Sequence, residues 1–363
     1  MYNVDYRKIA SDNEIPLEQT LVIGQTLVVI LNNDDKKFRE IEVNGYAFTN
    51  INKDILQQVL PSLTYLSIFS YSVEYNGGLK NINDSDLILM AKTYGTIPIM
   101  VITNIGDEGR FDSNLASTIL NNDDIQDKLI DNILDVMYNK GYSGLNIDFE
   151  YVYPDDKEAF INFISKVKLK LEQFNYTLSV AVAPKTSDEQ KGLLYEAHDY
   201  KRIGQLADRV VIMTYEWGYS GGPARAVAPV NLIERVLDYA VENINPKKIL
   251  MGIPNYGYDW ITPYQQGTLA KSVGNYEAVD LARNYQQSID YDYKSEAPYF
   301  NYWDIGMQKH EVWFEDARSI EAKLQLIIKY NLGGASYWTI NRFFPQNYLV
   351  LNSLFDIKKY DLA

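Results

Sequence analysis

Short apolar runs alternate with longer amphipathic ones through most of this chain. The short runs fall at 42–48, 65–70, 97–103, 144–149, 177–182, 209–214, 248–253 and 334–338. Each has the length of a strand and predicts one. Helical patterns separate them. In 155–174, for example, Phe160, Phe163, Ile164, Val167 and Leu171 recur at helical spacing. Strand alternating with helix predicts an α/β fold with a parallel sheet. Eight such units predict closure into a TIM (β/α)8 barrel.

Two regions break this rhythm. Between the seventh and eighth strands the chain is far longer than one crossover helix needs. Residues 262–314 hold a helical pattern at 276–287 and strand-like runs at 298–303 and 310–314. They predict a small α+β insertion on the active face of the barrel. At the other end, residues 1–31 read as a unit of their own, with a helical stretch at 5–13. The polar run at 32–38 reads as a linker, and the barrel takes 39–363.

The fourth strand carries the chemistry. It reads Gly144-Leu145-Asn146-Ile147-Asp148-Phe149-Glu150. Side chains alternate along a strand. Leu145, Ile147 and Phe149 therefore face the helix layer, and Asn146, Asp148 and Glu150 face the barrel interior. Polar groups in a row are costly inside a core. At the C-terminal end of a barrel strand they read as catalytic. A blander reading makes the acids caps for the helix beginning near Pro154. That suits Glu150 alone, because Ile147 and Phe149 hold Asp148 inside the strand.

Paired carboxylates suit glycoside cleavage. One stays protonated to donate to the leaving oxygen, and the other stays ionised to stabilise positive charge. Their mutual repulsion separates their pKa values. Neighbours on one strand do not flank a sugar ring as the usual pair does. This spacing points to substrate assistance, with the substrate's own acetamide as nucleophile.

The remaining composition mostly excludes. The formal net charge is -14 with no basic stripe, so no nucleic-acid partner is expected. The absence of cysteine removes thiol catalysis and zinc–thiolate sites. His198 and His310 are the only histidines and stand apart, so neither a histidine metal site nor a triad is expected. No metal and no cofactor are called for. The start of the chain has no basic region followed by an apolar run, so no signal peptide is expected. No apolar run is long enough for a membrane span. The stretch from Gly218 to Gly222 lacks the lysine of a phosphate loop and reads as a turn.

The fourth-strand stretch resembles the DxxDxDxE signature of glycoside hydrolase family 18. Asp148 and Glu150 match its last two acids, while Ser143 and Asn146 stand at its first two positions. The resemblance implies that Glu150 is the acid/base and that Asp148 orients the acetamide. Asn146 keeps a hydrogen-bonding amide but cannot exchange a proton with Asp148. Met213-Thr214-Tyr215-Glu216 resembles the MxYD of the sixth strand. Tyr215 would then donate to the acetamide oxygen and Glu216 would hold the sugar. Trp338, ending the eighth strand, resembles the floor of the sugar site. Met213 and Tyr256 complete the expected substrate-binding set with Asn146, Glu216 and Trp338.

The stretches 213–229 and 312–319 look like the spore cortex-lytic branch of that family. That branch implies N-acetylglucosaminidase action on peptidoglycan, in spore layers or the cell wall of an endospore-forming bacterium. Residues 1–31 resemble the second half of a LysM peptidoglycan-binding module, without its opening strand. Chitinase action uses the same residues and stays open. A lectin-like protein of the same fold would have lost the acid that Glu150 supplies.

Overall fold

The structure is a computed structural model and describes residues 4–31 and 37–360. Most of the expected linker, 32–36, lies outside the described residues.

Eight parallel strands form the barrel: Arg39–Phe48, Tyr65–Ser72, Ile97–Thr103, Gly144–Asp148, Thr177–Val182, Arg209–Ile212, Ile249–Pro254 and Gly334–Trp338. They pair in chain order, and the eighth returns to the first with Glu42 opposite Gly334 and Gly45 opposite Tyr337. The predicted barrel is therefore closed. Closure is tight at Gly334, where a Cβ would sit 1.7 Å from the Glu42 carbonyl oxygen. A further short strand, Phe355–Ile357, pairs beside Arg39–Ile41. Its three residues carry too little pattern to be read from sequence.

Alternation decides which side chains meet the helices. Leu145, Ile147 and Phe149 are fully buried in the core between strands and helices, with Phe160, Phe163 and Ile164 of the helix Lys157–Glu172. Phe149 stacks on Phe160 and Phe163 at 6.1 and 5.9 Å. Full burial of one such ring contributes roughly 1.5–3 kcal/mol. This packing anchors the strand end that carries the acids. The barrel interior has its own layers. Tyr46, Val101, Ala181, Val211 and Leu250 form an apolar interior cluster. Polar side chains share that interior: Ser67 Oγ donates to Asn44 Oδ1 at 2.7 Å, and Asn44 Nδ2 to Ser336 Oγ at 2.9 Å.

The insertion is a five-stranded antiparallel sheet. In spatial order it runs Asp290–Asp292, Ala297–Trp303, Lys309–Trp313, Gly257–Thr262 and Lys271–Val273, with the helix Asn275–Asn284. It thus takes in Gly257–Thr262, a strand ahead of the expected start at 262. A buried acid hides that strand's pattern. Asp259 faces inward, accepting from Tyr302 Oη at 2.6 Å and pairing with His310 Nδ1 at 2.8 Å.

Residues 4–31 comprise the helix Tyr6–Asp12 followed by a segment with no strand. The segment lies along the insertion and the last helix, Pro345–Leu354. Ile289 N donates to Ile23 O at 2.8 Å, Arg283 Nε to Thr20 O at 2.8 Å, and Gln346 Nε2 to Thr26 O at 2.8 Å. Gly24 adopts φ +82°, and a Cβ there would meet the Ile289 carbonyl oxygen at 2.0 Å. Val22 packs on the insertion's apolar core of Val273, Phe300 and Val312. Among the described residues no helix is long and apolar enough to cross a membrane.

Candidate active site

A cleft of about 460 Å³ opens at the C-terminal ends of the barrel strands. Asp148, Glu150, Met213, Tyr215, Glu216 and Trp338 all line it. Three strand ends therefore converge: the fourth with the acids, the sixth with Met213 to Glu216, and the eighth with Trp338. Trp338 is wedged edge-on against Tyr46 at 5.4 Å and Phe69 at 4.8 Å. These contacts leave its ring only partly buried and facing the cleft.

Two expected residues sit elsewhere. Asn146 is fully buried below the cleft and does not line it. Its amide is committed, accepting from Tyr46 Oη at 3.0 Å and donating to Ser179 Oγ at 2.9 Å. It reaches neither the cleft nor Asp148, because it lies one interior layer deeper in the strand. Tyr256 stands behind Glu216 and donates its hydroxyl to Glu216 Oε1. Tyr258 donates to the same oxygen at 3.0 Å. Tyr256 therefore supports an acid of the cleft and does not line it.

Electrostatics favour a retained proton. Burial raises the Asp148 carboxyl above its usual range, and its Oδ1 has no partner. Glu150 is raised well above the usual carboxylate range by burial, then by the charges of Asp148 and Glu216. Glu216 is raised by desolvation, which the hydroxyls of Tyr256 and Tyr258 oppose. Tyr215 is held far above its usual value, first by burial and then by Tyr46 and the acids Asp148, Glu150 and Glu216, so it stays a donor. The arrangement offers a protonated acid, a second carboxylate and a phenol donor around one space. Among the described residues the lining holds no Lys, Arg or His, and no group of three His, Asp or Glu is placed to hold a metal ion.

The sequence reading missed several contributors. Tyr46, Phe69, Phe111, Tyr151, Tyr195 and Tyr219 also line the cleft. Tyr46 and Phe69 belong to barrel strands, where inward alternation was the available signal. The others sit on loops, where no period marks direction.

The model of the glycosyl hydrolases family 18 matches residues 43–342. The chain belongs to that family. A cortical fragment-lytic enzyme of Bacillus cereus is 46% identical over 301 residues, spanning 82% of this chain and 70% of the relative. Its namesake from Bacillus subtilis is 40% identical, over 88% of this chain and 76% of the relative. Among solved structures, the Bacillus cereus spore cortex-lytic enzyme SleL superposes with a TM-score of 0.86 at 42% identity, covering 99% of this chain and 83% of that one. A chitinase from Chromobacterium violaceum reaches a TM-score of 0.80 at 25% identity, over 86% and 98% of the two chains. The family 18 match takes in the whole cleft, from Tyr46 to Trp338.

Proposed function

We propose that this family 18 glycosidase hydrolyses the β-1,4 bond after N-acetylglucosamine in spore cortex peptidoglycan fragments. The mechanism is retaining and substrate-assisted. Glu150 protonates the glycosidic oxygen while the acetamide oxygen of the same sugar attacks the anomeric carbon. Asp148 carries the negative charge beside the acetamide nitrogen, and Tyr215 donates to the acetamide oxygen. The leaving sugar departs with the proton from Glu150. Glu150, now ionised, takes a proton from water, whose oxygen opens the oxazolinium-like ring and restores the β configuration. Trp338 supports the apolar face of the sugar, and Glu216 hydrogen-bonds its hydroxyls. No cofactor enters this scheme.

The observation that carries the reading is the raised Glu150 carboxyl facing the same space as Asp148 and Tyr215. The names of the Bacillus relatives support cortex fragments as substrate and a spore location. The resemblance of residues 1–31 to a LysM half-module would add glycan binding by that segment. One observation favours a second reading, chitinase action: a cleft with three acids and no cation suits an uncharged polymer.

The test is mass spectrometry of cortex fragments before and after digestion, with reduction of the new sugar ends. New ends of N-acetylglucosamine are expected. Ends of N-acetylmuramic acid would make the protein a muramidase and sink the bond assignment. Cleavage of chitin oligomers with no new ends on cortex fragments would establish the chitinase reading.

A further inference from the structure

The fourth barrel strand stops at Asp148. The backbone that carries Glu150 therefore leaves the sheet and loses its ladder partners. Buried peptide groups must find others. The peptide unit joining Phe149 to Glu150 finds one on each side. Its carbonyl is 3.0 Å from His198 Nε2, and its N–H donates to Asn104 Oδ1 at 3.0 Å. Asn104 Nδ2 then donates to the carbonyl of Glu150 itself at 2.8 Å. Immediately afterwards Tyr151 turns the chain with φ +54°.

The direction of the His198 bond follows from its other nitrogen. Nδ1 lies 2.9 Å from the N–H of Ala183 and can only accept there. The proton is therefore on Nε2, and the ring donates to Phe149 O. The ring is 1% exposed and packs beside Phe160. The charged group facing it is Lys185, whose Nζ donates to the His198 carbonyl at 3.1 Å. A second ring proton would point at the Ala183 N–H. Burial accordingly pushes the imidazole pKa down to about 4, so the neutral donor persists across the working range.

We propose that His198 and Asn104 are positioning residues for glycoside cleavage, clamping the Phe149–Glu150 peptide from both sides and thereby aiming the Glu150 carboxyl. This rests on the reading of Glu150 as the acid/base. Two bonds on one peptide plane fix its rotation, and that rotation sets where the Glu150 side chain leaves the backbone. A misplacement of about 1 Å at a reacting group can cost on the order of 10²-fold in rate. His198 comes from the loop after the fifth strand and Asn104 from the end of the third, so the clamp ties three strand ends into one frame.

The experiment compares His198→Leu, His198→Gln, Asn104→Ala and the His198→Leu/Asn104→Ala double variant. Each is assayed on reduced cortex fragments and on chitin tetrasaccharide, with thermal unfolding measured in parallel. His198→Leu is expected to lower kcat about 10- to 100-fold with KM within about twofold, and to move the basic limb of the kcat profile. His198→Gln, which keeps an amide donor, is expected to recover most of that loss. The double variant should fall little below the worse single one, because both bonds act on one peptide. If His198→Leu does not fold, Asn104→Ala carries the same expectation from the opposite side. A folded His198→Leu with wild-type kcat and pH limbs would overturn the proposal. So would losses that follow the melting temperature alone and are equal for Leu and Gln. Glu150→Gln is the control for the underlying reading: if it stays active, the acid/base assignment fails whatever the clamp variants do.

Discussion

Two carboxyls brought together at the end of one strand, away from water, compete for a proton. Ionising Asp148 raises the proton affinity of Glu150, on top of the effect of burial. In the proposed mechanism the active form is the one-proton form of the pair. Glu150→Gln is expected to lower kcat roughly 10²–10⁴-fold without unfolding the protein, since general acid catalysis supplies about that factor. Turnover near wild type would remove Glu150 from the mechanism. Its stability effect has a definite sign. A folded-state pKa raised above the unfolded value means that the native state binds the proton more tightly. Stability is then lost as pH rises from the unfolded pKa toward the folded one. Glu150→Gln should therefore raise the melting temperature at pH 7 and change it little at pH 4, read by calorimetry at both. Asp148→Asn removes a charge that holds the Glu150 proton. Besides slowing turnover, it should move the basic limb of the pH–rate profile to lower pH; an unmoved limb would mean that the two groups are not coupled.

At the scale of elements, the period of the apolar residues gave away the eight barrel strands and the face of the fourth that carries the acids. What stayed hidden lacked a period. Gly257–Thr262 has an acid at an inward position, satisfied by Tyr302 and His310 from the neighbouring strands. Asn146 reads as one of three aligned polar residues, yet strand depth separates it from the cleft. His198 reads as an isolated histidine, because its partner Phe149 lies 49 residues away. The N-terminal segment reads as separate, yet it lies on the insertion through backbone bonds that no side-chain pattern announces. Gly24 tests that docking. Gly24→Ala places a methyl against the Ile289 carbonyl at a left-handed φ, a strain of about 1–3 kcal/mol. The Ile289 amide, bonded to Ile23 O, should then exchange with deuterium faster while the barrel amides are unaffected. Unchanged protection at Ile289 would show that the segment docks by other contacts.

At the scale of the molecule, charge and closure have separate consequences. The protein carries -14 formal charges, and its cleft holds acids alone among the lining groups that titrate near neutrality. A polyanionic glycan meets repulsion that salt screens over about 8 Å at physiological ionic strength. We expect kcat/KM on peptidoglycan fragments with free carboxylates to rise between 10 and 150 mM salt, and on chitin oligomers to stay flat. Equal salt slopes would show that the cleft field does not reach the substrate. Closure bears on how the chain is made. The pairing that seals the barrel joins Asn44 to Ser336, 292 residues apart. The first strand is synthesised well before its partner. During synthesis its outer edge stays open, a template for pairing with another chain, until the eighth strand has left the ribosome. Every residue of the insertion lengthens that wait, so the element whose Tyr258 holds Glu216 of the cleft also prolongs the exposure of that edge in the nascent chain.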